Sequence, residues 1–155
     1  MAAPLHNHNL AAVVNLVNEY AYLFGTNNGS PTQLLNLFTE DASLNDDFVG
    51  QSRGHNEIRR SLEELFGLEF LAEASHIPQG HFVSFVSEKE ATATSYTVMF
   101  WKSNPVLIVK WTDVVVLVDG TWRFQSRTSE AIQKNLEHLG EMQLKGKKQY
   151  PQHTE

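Results

Sequence analysis

The chain has 155 residues, 41% of them hydrophobic, and a formal net charge of −6, which indicates one globular domain with a hydrophobic core. The negative charge, without a basic stripe, argues against nucleic acid or an anionic membrane as a partner, and the lack of cysteine excludes disulfides and thiol nucleophiles. No apolar run is long enough to span a membrane and the first residues lack the features of a signal peptide, so we expect a cytoplasmic protein.

The first half of the chain has helical periodicity. Apolar residues recur at helical spacing up to Phe24 and predict a first helix. The sequence Ser30-Pro-Thr-Gln33 is a capping box with proline at the first helical position, which predicts a short second helix. A third helix is predicted after Gly54. Between the second and third helices, Ala42 to Gln51 is interpreted as irregular or as a short β segment.

The second half has the period of β-strands. Turn signals at Ser87–Glu90 and at Asp119-Gly120 predict strands near 76–87, 90–101, 106–118 and 121–129. A further helix over 131–139 and a frayed terminus are expected after them. We therefore predict an α+β protein with one domain over residues 1–130 and a C-terminal helix or tail over 131–155.

Asp113 is the most informative residue because it interrupts a strand of aliphatic and β-branched residues. A carboxylate there must face water, pair with another group or have a shifted pKa. A two-residue loop at Asp119-Gly120 would place Asp113 opposite Ser126, with Arg123 and Arg127 on the other face of the sheet. The face predicted for Asp113 also carries Trp111, Trp122 and Phe124.

The first hairpin gives a second prediction about faces. A loop at Glu88-Lys89 would place His76 opposite Trp101, on a concave face, and His81 on the opposite face. A curved sheet backed by three helices would then enclose an apolar cavity in which His76 and Asp113 are the main titratable groups. Such a pocket is the default ligand site of an uncharacterised fold, and such a pair can serve acid–base catalysis.

Several short motifs of the chain occur together in one known family. They are Leu37-Phe-Thr-Glu-Asp-Ala42, Gly50-Gln-Ser-Arg-Gly54, Ser75-His76, Ala91-Thr-Ala93, Trp111-Thr-Asp113 and Asp119-Gly-Thr-Trp-Arg-Phe-Gln-Ser-Arg127. On these motifs, residues 8 to 130 resemble the SnoaL-like domains of the nuclear transport factor 2-like superfamily. The resemblance implies a strongly curved, mixed but mostly antiparallel sheet wrapped around N-terminal helices, which forms a cone-shaped α+β barrel with an apolar pocket. It also implies a homodimer packed through the sheet.

The resemblance carries over to three residues. His76 matches the family histidine at the start of the first long strand, and Asp113 matches the aspartate that follows the usual tyrosine, here Trp111. Family members often carry a catalytic aspartate just after the first helix. Asn27 is the nearest match in this chain, and an amide cannot act as a general base.

The family does not imply one reaction, so three functions are compatible with the sequence. The first is an acid/base enzyme of the cyclase, dehydratase or isomerase type acting on a hydrophobic cyclic or aromatic substrate, with no metal and no organic cofactor. Its catalytic residues would be His76, Asp113 and Tyr20, and its ligand-binding residues would be Trp101, Trp111, Trp122, Phe124, Ser126 and Asn27. The second is a non-catalytic ligand-binding or assembly domain, and the third is a partner subunit resembling dioxygenase β chains.

Structural roles remain open for the same residues. Asp113 can be a structural carboxylate bonded to Ser126 or a neighbour, and His76 can be a buried core histidine. The pair Asp46-Asp47 is interpreted as part of a solvated loop. The two arginines of the last strand are interpreted as a dimer rim or a solvated face.

Overall fold

The computed structural model describes residues 3–25, 28–68, 71 and 73–135. The helices with described bounds are α1 (Ala3–Phe24), α2 (Pro31–Leu35) and α3 (Gly54–Phe66). The strands are β1 (Phe38–Asp46), β2 (Gly50–Arg53), β3 (Ser75–Ser87), β4 (Glu90–Trp101), β5 (Asn104–Val118) and β6 (Thr121–Lys134). No helix within the described ranges is long and apolar enough to cross a membrane.

The six strands form one open sheet in the order β2-β1-β6-β5-β4-β3. Only the β1–β6 pair is parallel, so the sheet is mixed and mostly antiparallel as predicted. One face carries the helices: α1 packs against β3, β4 and β6, and α3 packs against β1 and β2. The hydrophobic core lies between this face and the helices, which confirms the predicted α+β class.

Local signals in the sequence place several element boundaries. The Ser30 side chain accepts the backbone N–H of Gln33 at 3.3 Å, and Pro31 follows at the first helical position, so the predicted capping motif begins α2. Asp119 and Gly120 both have positive φ angles, 50° and 77°, as a two-residue hairpin turn requires. The turn therefore joins β5 to β6 where the sequence predicts it.

Two segments differ from their predicted structure. The segment from Ala42 to Gln51, interpreted from the sequence as irregular or a short β segment, contains most of β1 and the start of β2. These two strands pair antiparallel around a tight turn. The helix predicted from Ala131 is wrong at its start, because β6 continues to Lys134 and Ala131 pairs with Val109. The rest of the predicted tail, 136–155, lies outside the described residues.

Bulges in β3 overturn the predicted register of the first hairpin. The pairing with β4 shifts between Gln79 and Phe82 and again between Phe85 and Ser87, so His76 lies opposite Met99 rather than Trp101. Gly80 allows the first shift, since its φ angle is +64° and a Cβ there would lie 3.2 Å from the Tyr96 ring. The shift also turns His81 to the inner face, and its predicted place on the opposite face from His76 is wrong.

A bulge in β6 overturns the register predicted for Asp113. Val115 pairs with Phe124 but Val114 pairs with Ser126, so Gln125 is an extra residue between them. Beyond the bulge every side chain of β6 changes face relative to the prediction. Asp113 therefore lies opposite Arg127, not opposite Ser126.

Candidate active site

A cavity lies between the inner face of the sheet and the C-terminal half of α1. Its space measures about 400 Å³ including the part that is open to solvent, and its enclosed part has room for roughly one water molecule. β1 and β3, which are four positions apart in the sheet order, both contribute to its wall, so the sheet curves around it. Most of the wall is apolar, and its polar side chains are Tyr20, Asp46, His76, Thr97 and Ser129.

His76 stands at the start of β3 with its ring in the cavity wall. Its Nε2 lies 2.8 Å from the carbonyl oxygen of Leu71. The carbonyl can only accept, so the N–H is on Nε2 and Nδ1 keeps an acceptor lone pair. Burial lowers the pKa of His76 to about 4, although the bond to Leu71 opposes this shift. The imidazole is therefore neutral at pH 7 with its tautomer fixed.

The end of α1 contacts His76 through a glycine. A Cβ built on Gly25 would lie 3.0 Å from Cδ2 of His76 and 3.2 Å from its backbone nitrogen, so a larger residue at position 25 would displace the histidine. The helix end that touches His76 thus supplies no carboxylate. Asn27, predicted as a ligand-binding residue and as the nearest match to the family aspartate, lies outside the described residues.

Asp46 is a buried carboxyl group in the cavity wall, which corrects its interpretation as part of a solvated loop. It is 6% exposed at the end of β1. Its Oδ1 accepts the backbone N–H of Phe48 at 2.8 Å, and its Oδ2 accepts the hydroxyl of Ser129 at 3.2 Å. Burial raises the pKa of Asp46, while these hydrogen bonds oppose the shift and the charge of Asp47 adds to it. The sequence held a signal for this placement, because Ala42 and Leu44 alternate inward with it along β1.

Tyr20 and Trp111 form the floor of the cavity. The two rings meet edge to face with centroids 5.5 Å apart. The indole N–H of Trp111 donates to the Thr97 hydroxyl at 3.1 Å, whereas the buried Tyr20 hydroxyl has no hydrogen-bond partner among the described residues. Burial raises the pKa of Tyr20 further above its already alkaline value. Tyr20 therefore stays protonated and has a hydroxyl to donate.

Asp113 forms a buried ion pair with Arg127 instead of facing the cavity. Asp113 Oδ2 lies 3.5 Å from Nη1 of Arg127, and each residue is 1% exposed. Burial raises the pKa of Asp113 to about 6, against the opposing charge of Arg127. The prediction that Arg127 points away from Asp113 is wrong, because the bulge at Gln125 turns it inward. Arg123 does stay on the outer face, where it donates to the carbonyl of Asn36.

Three aromatic rings enclose the Arg127 guanidinium. Its carbon lies 4.1 Å from the ring centroid of Trp111, 4.2 Å from that of Tyr20 and 4.3 Å from that of Phe124. Each contact is a cation–π interaction in a desolvated setting. The guanidinium lies below the floor of the cavity, and its cage stabilises a charge that would otherwise be costly to bury.

The relay predicted between His76 and Asp113 is not formed. His76 lies opposite Met99 on β4, whereas Asp113 lies opposite Ala93. Six residues of strand separate these positions, which is about 20 Å. Each group also has its own partner, the Leu71 carbonyl for His76 and Arg127 for Asp113. The two predicted titratable groups thus belong to different parts of the molecule.

The predicted ligand-binding residues are also divided. Trp111 lines the cavity. Trp101 is buried, and its indole N–H donates to Glu73 at 3.4 Å. Trp122 and Phe124 lie in the core away from the cavity wall, where the Trp122 indole contacts Asn9 at 3.4 Å. Ser126 lies opposite Val114 on the outer face, because it follows the bulge.

The sequence of the protein matches a described family over most of its length. The family profile described as SnoaL-like domain matches residues 8–128. The chain belongs to the SnoaL-like family. This confirms the resemblance that the short motifs indicated. None of the curated proteins compared with this SnoaL-like chain matches it.

Solved structures share the fold of this SnoaL-like domain. A candidate scytalone dehydratase from Novosphingobium aromaticivorans has 24% identity and a TM-score of 0.68, covering 83% of this chain and 87% of its own. The hexachlorocyclohexane dehydrochlorinase LinA-type3 from Novosphingobium barchaimii has 14% identity and a TM-score of 0.67, covering 84% and 91%. A protein of unknown function with a cystatin-like fold from Nostoc punctiforme has 19% identity and a TM-score of 0.70, covering 81% and 93%.

Proposed function

We propose that the protein binds a small hydrophobic cyclic or aromatic molecule in its cavity and acts on it as a cofactor-independent acid/base enzyme of the dehydratase, cyclase or isomerase type. The observation that carries this proposal is the state of His76. A neutral imidazole, held in one tautomer by Leu71, keeps an Nδ1 lone pair in an apolar wall. Such a group can accept a proton from a bound carbon acid.

The other wall residues fit this chemistry. The Tyr20 hydroxyl has no partner within the described part of the chain, so it can donate to an oxygen of the bound molecule and stabilise an enolate. Trp111 and Phe24 provide flat apolar walls for a ring. Two structural relatives carry the names of a dehydratase and a dehydrochlorinase, which supports a reaction of this type on this fold.

Proton abstraction can be tested with a simple carbon acid. Cyclohexanone in D2O exchanges its α-hydrogens for deuterium when a base removes them, and proton NMR follows the loss of signal. We expect the wild-type protein to accelerate this exchange and His76→Gln, which keeps a donor for Leu71, to lose about 100-fold or more of the acceleration.

A matched histidine serves as the control. His55 also contacts a backbone carbonyl, that of Phe38 at 3.1 Å, but it does not line the cavity. His55→Gln should exchange cyclohexanone at the wild-type rate. An exchange rate that His76→Gln leaves unchanged would refute the proposed base.

A second function is favoured by the glycine at the end of α1. A carboxylate that orients the imidazole is the usual support of a histidine base, and Gly25 supplies none. The alternative is a non-catalytic ligand-binding or assembly domain. It predicts saturable binding of cyclic ligands, seen as a rise in melting temperature, with no exchange above that of bovine serum albumin at equal concentration.

We further propose a homodimer through the outer face of the sheet. Apolar side chains stand exposed on this face, with Phe82 70%, Val86 66% and Ile77 47% accessible, and such patches favour association. Light scattering after size exclusion should give twice the chain mass. Phe82→Ser combined with Val86→Ser should give the monomer without loss of fold, and a monomeric wild-type protein would refute the dimer.

A further inference from the structure

Asp46 differs from the other deeply buried carboxyl group in having no cation beside it. Asp113 pairs with Arg127, whereas no basic side chain of the described residues acts on Asp46. Asp46 accepts hydrogen bonds from the backbone N–H of Phe48, from the Ser129 hydroxyl and from the backbone of Val49. A carboxylate offers about four lone-pair sites, so this group is only partly satisfied where it borders the cavity.

The position does not need a carboxyl group for packing. Ala42 and Leu44, the two preceding inward residues of β1, are fully buried apolar side chains. A third apolar residue would continue this pattern without the cost of desolvating a charge. Asp46 also caps a turn by accepting the N–H two residues ahead, but an asparagine would do so equally well. The acid function itself therefore calls for an explanation.

We propose that Asp46 is the general acid that protonates the leaving hydroxyl of a cyclic β-hydroxy ketone while His76 removes the α-proton. This inference rests on the proposed function and assigns its substrate class. Both side chains, together with Tyr20, line the same cavity, which places base, acid and carbonyl donor around one ligand site. Asp46 then supplies the carboxyl that the end of α1 does not.

The step is an elimination of water that balances without an oxidant or a cofactor. Nδ1 of His76 takes the proton from the carbon next to the carbonyl, and that C–H electron pair forms the C=C bond. The C–O bond to the neighbouring carbon breaks, and the leaving oxygen takes the Asp46 proton to become water. The products are the conjugated enone and water, and a proton returns from the imidazolium to the Asp46 carboxylate through solvent.

Two probes separate this inference from the proposed function. Cyclohexanone has an α-proton but no leaving group, so its deuterium exchange requires His76 but not Asp46. The ketone 3-hydroxycyclohexanone has both, and its conversion to 2-cyclohexenone, followed by ultraviolet absorbance, requires His76 and Asp46. The variant is Asp46→Asn, with Asp41→Asn as control, because Asp41 lies on the same strand with its side chain exposed.

We expect Asp46→Asn to lower dehydration by about 100-fold or more and to leave exchange within about threefold of the wild type. Asp46→Glu should restore part of the dehydration rate, and Asp41→Asn should change neither reaction. The alkaline limb of the dehydration rate, which reports loss of the acid proton, should vanish in Asp46→Asn. The titratable groups that face Asp46 are Asp47 in the same turn, Tyr20 from α1 and His76 across the cavity.

Each other outcome overturns one of the two claims. Exchange without dehydration in the wild-type protein, or equal dehydration by wild type and Asp46→Asn, refutes the general acid and leaves the base in place. Equal loss of both reactions in Asp46→Asn assigns Asp46 a structural role and also refutes it. Absence of both reactions in the wild type refutes the proposed function, and the inference with it.

Discussion

The inner face of the sheet buries two carboxyl groups in contrasting ways. Asp113 pairs with Arg127, whose charge is enclosed by three aromatic rings and lies below the cavity. Asp46 has hydrogen-bond donors but no paired cation in the described part of the chain, and it borders the cavity. Removing one partner of a buried ion pair leaves an uncompensated buried charge, whereas a lone buried carboxyl is suited to exchange a proton. Asp113 is thus a structural carboxylate, whereas Asp46 is the carboxyl group that we propose acts in catalysis.

Removal of the cation should have the largest effect on stability. Arg127→Met leaves the Asp113 charge buried without a partner and removes the three cation–π contacts, so we expect the free energy of unfolding at pH 7 to fall by about 3–5 kcal/mol. Urea denaturation followed by tryptophan fluorescence measures it.

The double variant provides the control for that change. Adding Asp113→Val to Arg127→Met removes the unpaired charge and should recover at least about 2 kcal/mol. A loss below about 1 kcal/mol in the single variant would mean that the pair is not a structural element, and the contrast with Asp46 would fail.

The contributions of His76 and Asp113 to stability should change with pH in opposite directions. The folded pKa of His76 is lowered to about 4 from 6.5, so its contribution is present above pH 6.5 and is lost as the pH falls towards 4. The folded pKa of Asp113 is raised to about 6 from 3.8, so its contribution is present below pH 3.8 and is lost as the pH rises through 6. Each amounts to about 3 kcal/mol and the two partly cancel in the wild type.

Variants that remove either His76 or Asp113 should reveal the two contributions that cancel in the wild type. Unfolding free energies at pH 4, 5, 6 and 7 should show the advantage of the wild type over His76→Gln growing as the pH rises. Its advantage over Asp113→Asn should shrink over the same range. Parallel pH profiles of the three proteins would show that neither pKa is displaced by burial.

The glycine at the end of α1 allows a smaller test at the cavity. Gly25→Ala places a methyl group within 3.0 Å of the His76 ring and 3.2 Å of its backbone nitrogen, and the backbone cannot move freely. We expect a loss of about 1–3 kcal/mol and a changed His76 pKa by NMR titration. An unchanged titration curve would show that the helix end does not hold the imidazole in place.

Much of the fold could be predicted from the sequence because its signals are local. The capping box at Ser30 and the Asp119-Gly120 turn each fix a boundary within a few residues, and the structure keeps both. The site could not be predicted equally well because it depends on register. Gln125 carries no bulge signal, yet one extra residue there turns Arg127 from the outer face to the partner of Asp113. The alternation of inward residues along β1 indicates that Asp46 is buried, but the adjacent charge of Asp47 favours the interpretation as a solvated loop.

Among these variants, Asp46→Asn should have the smallest effect on stability. Asparagine keeps an oxygen for the N–H of Phe48 and offers an amide donor to the Ser129 hydroxyl, and it removes a buried ionisable group. The folded pKa of Asp46 is raised, so its contribution to stability is lost as the pH rises. The stability of Asp46→Asn relative to the wild type should therefore increase as the pH rises. At pH 7 we expect a change within about 1 kcal/mol, measured by urea denaturation beside Arg127→Met, which leaves Asp113 unpaired at a cost of about 3 kcal/mol or more. Equal losses in the two variants would mean that the charge of Asp46 holds the β1–β2 turn, and its assignment to chemistry would then lose its basis.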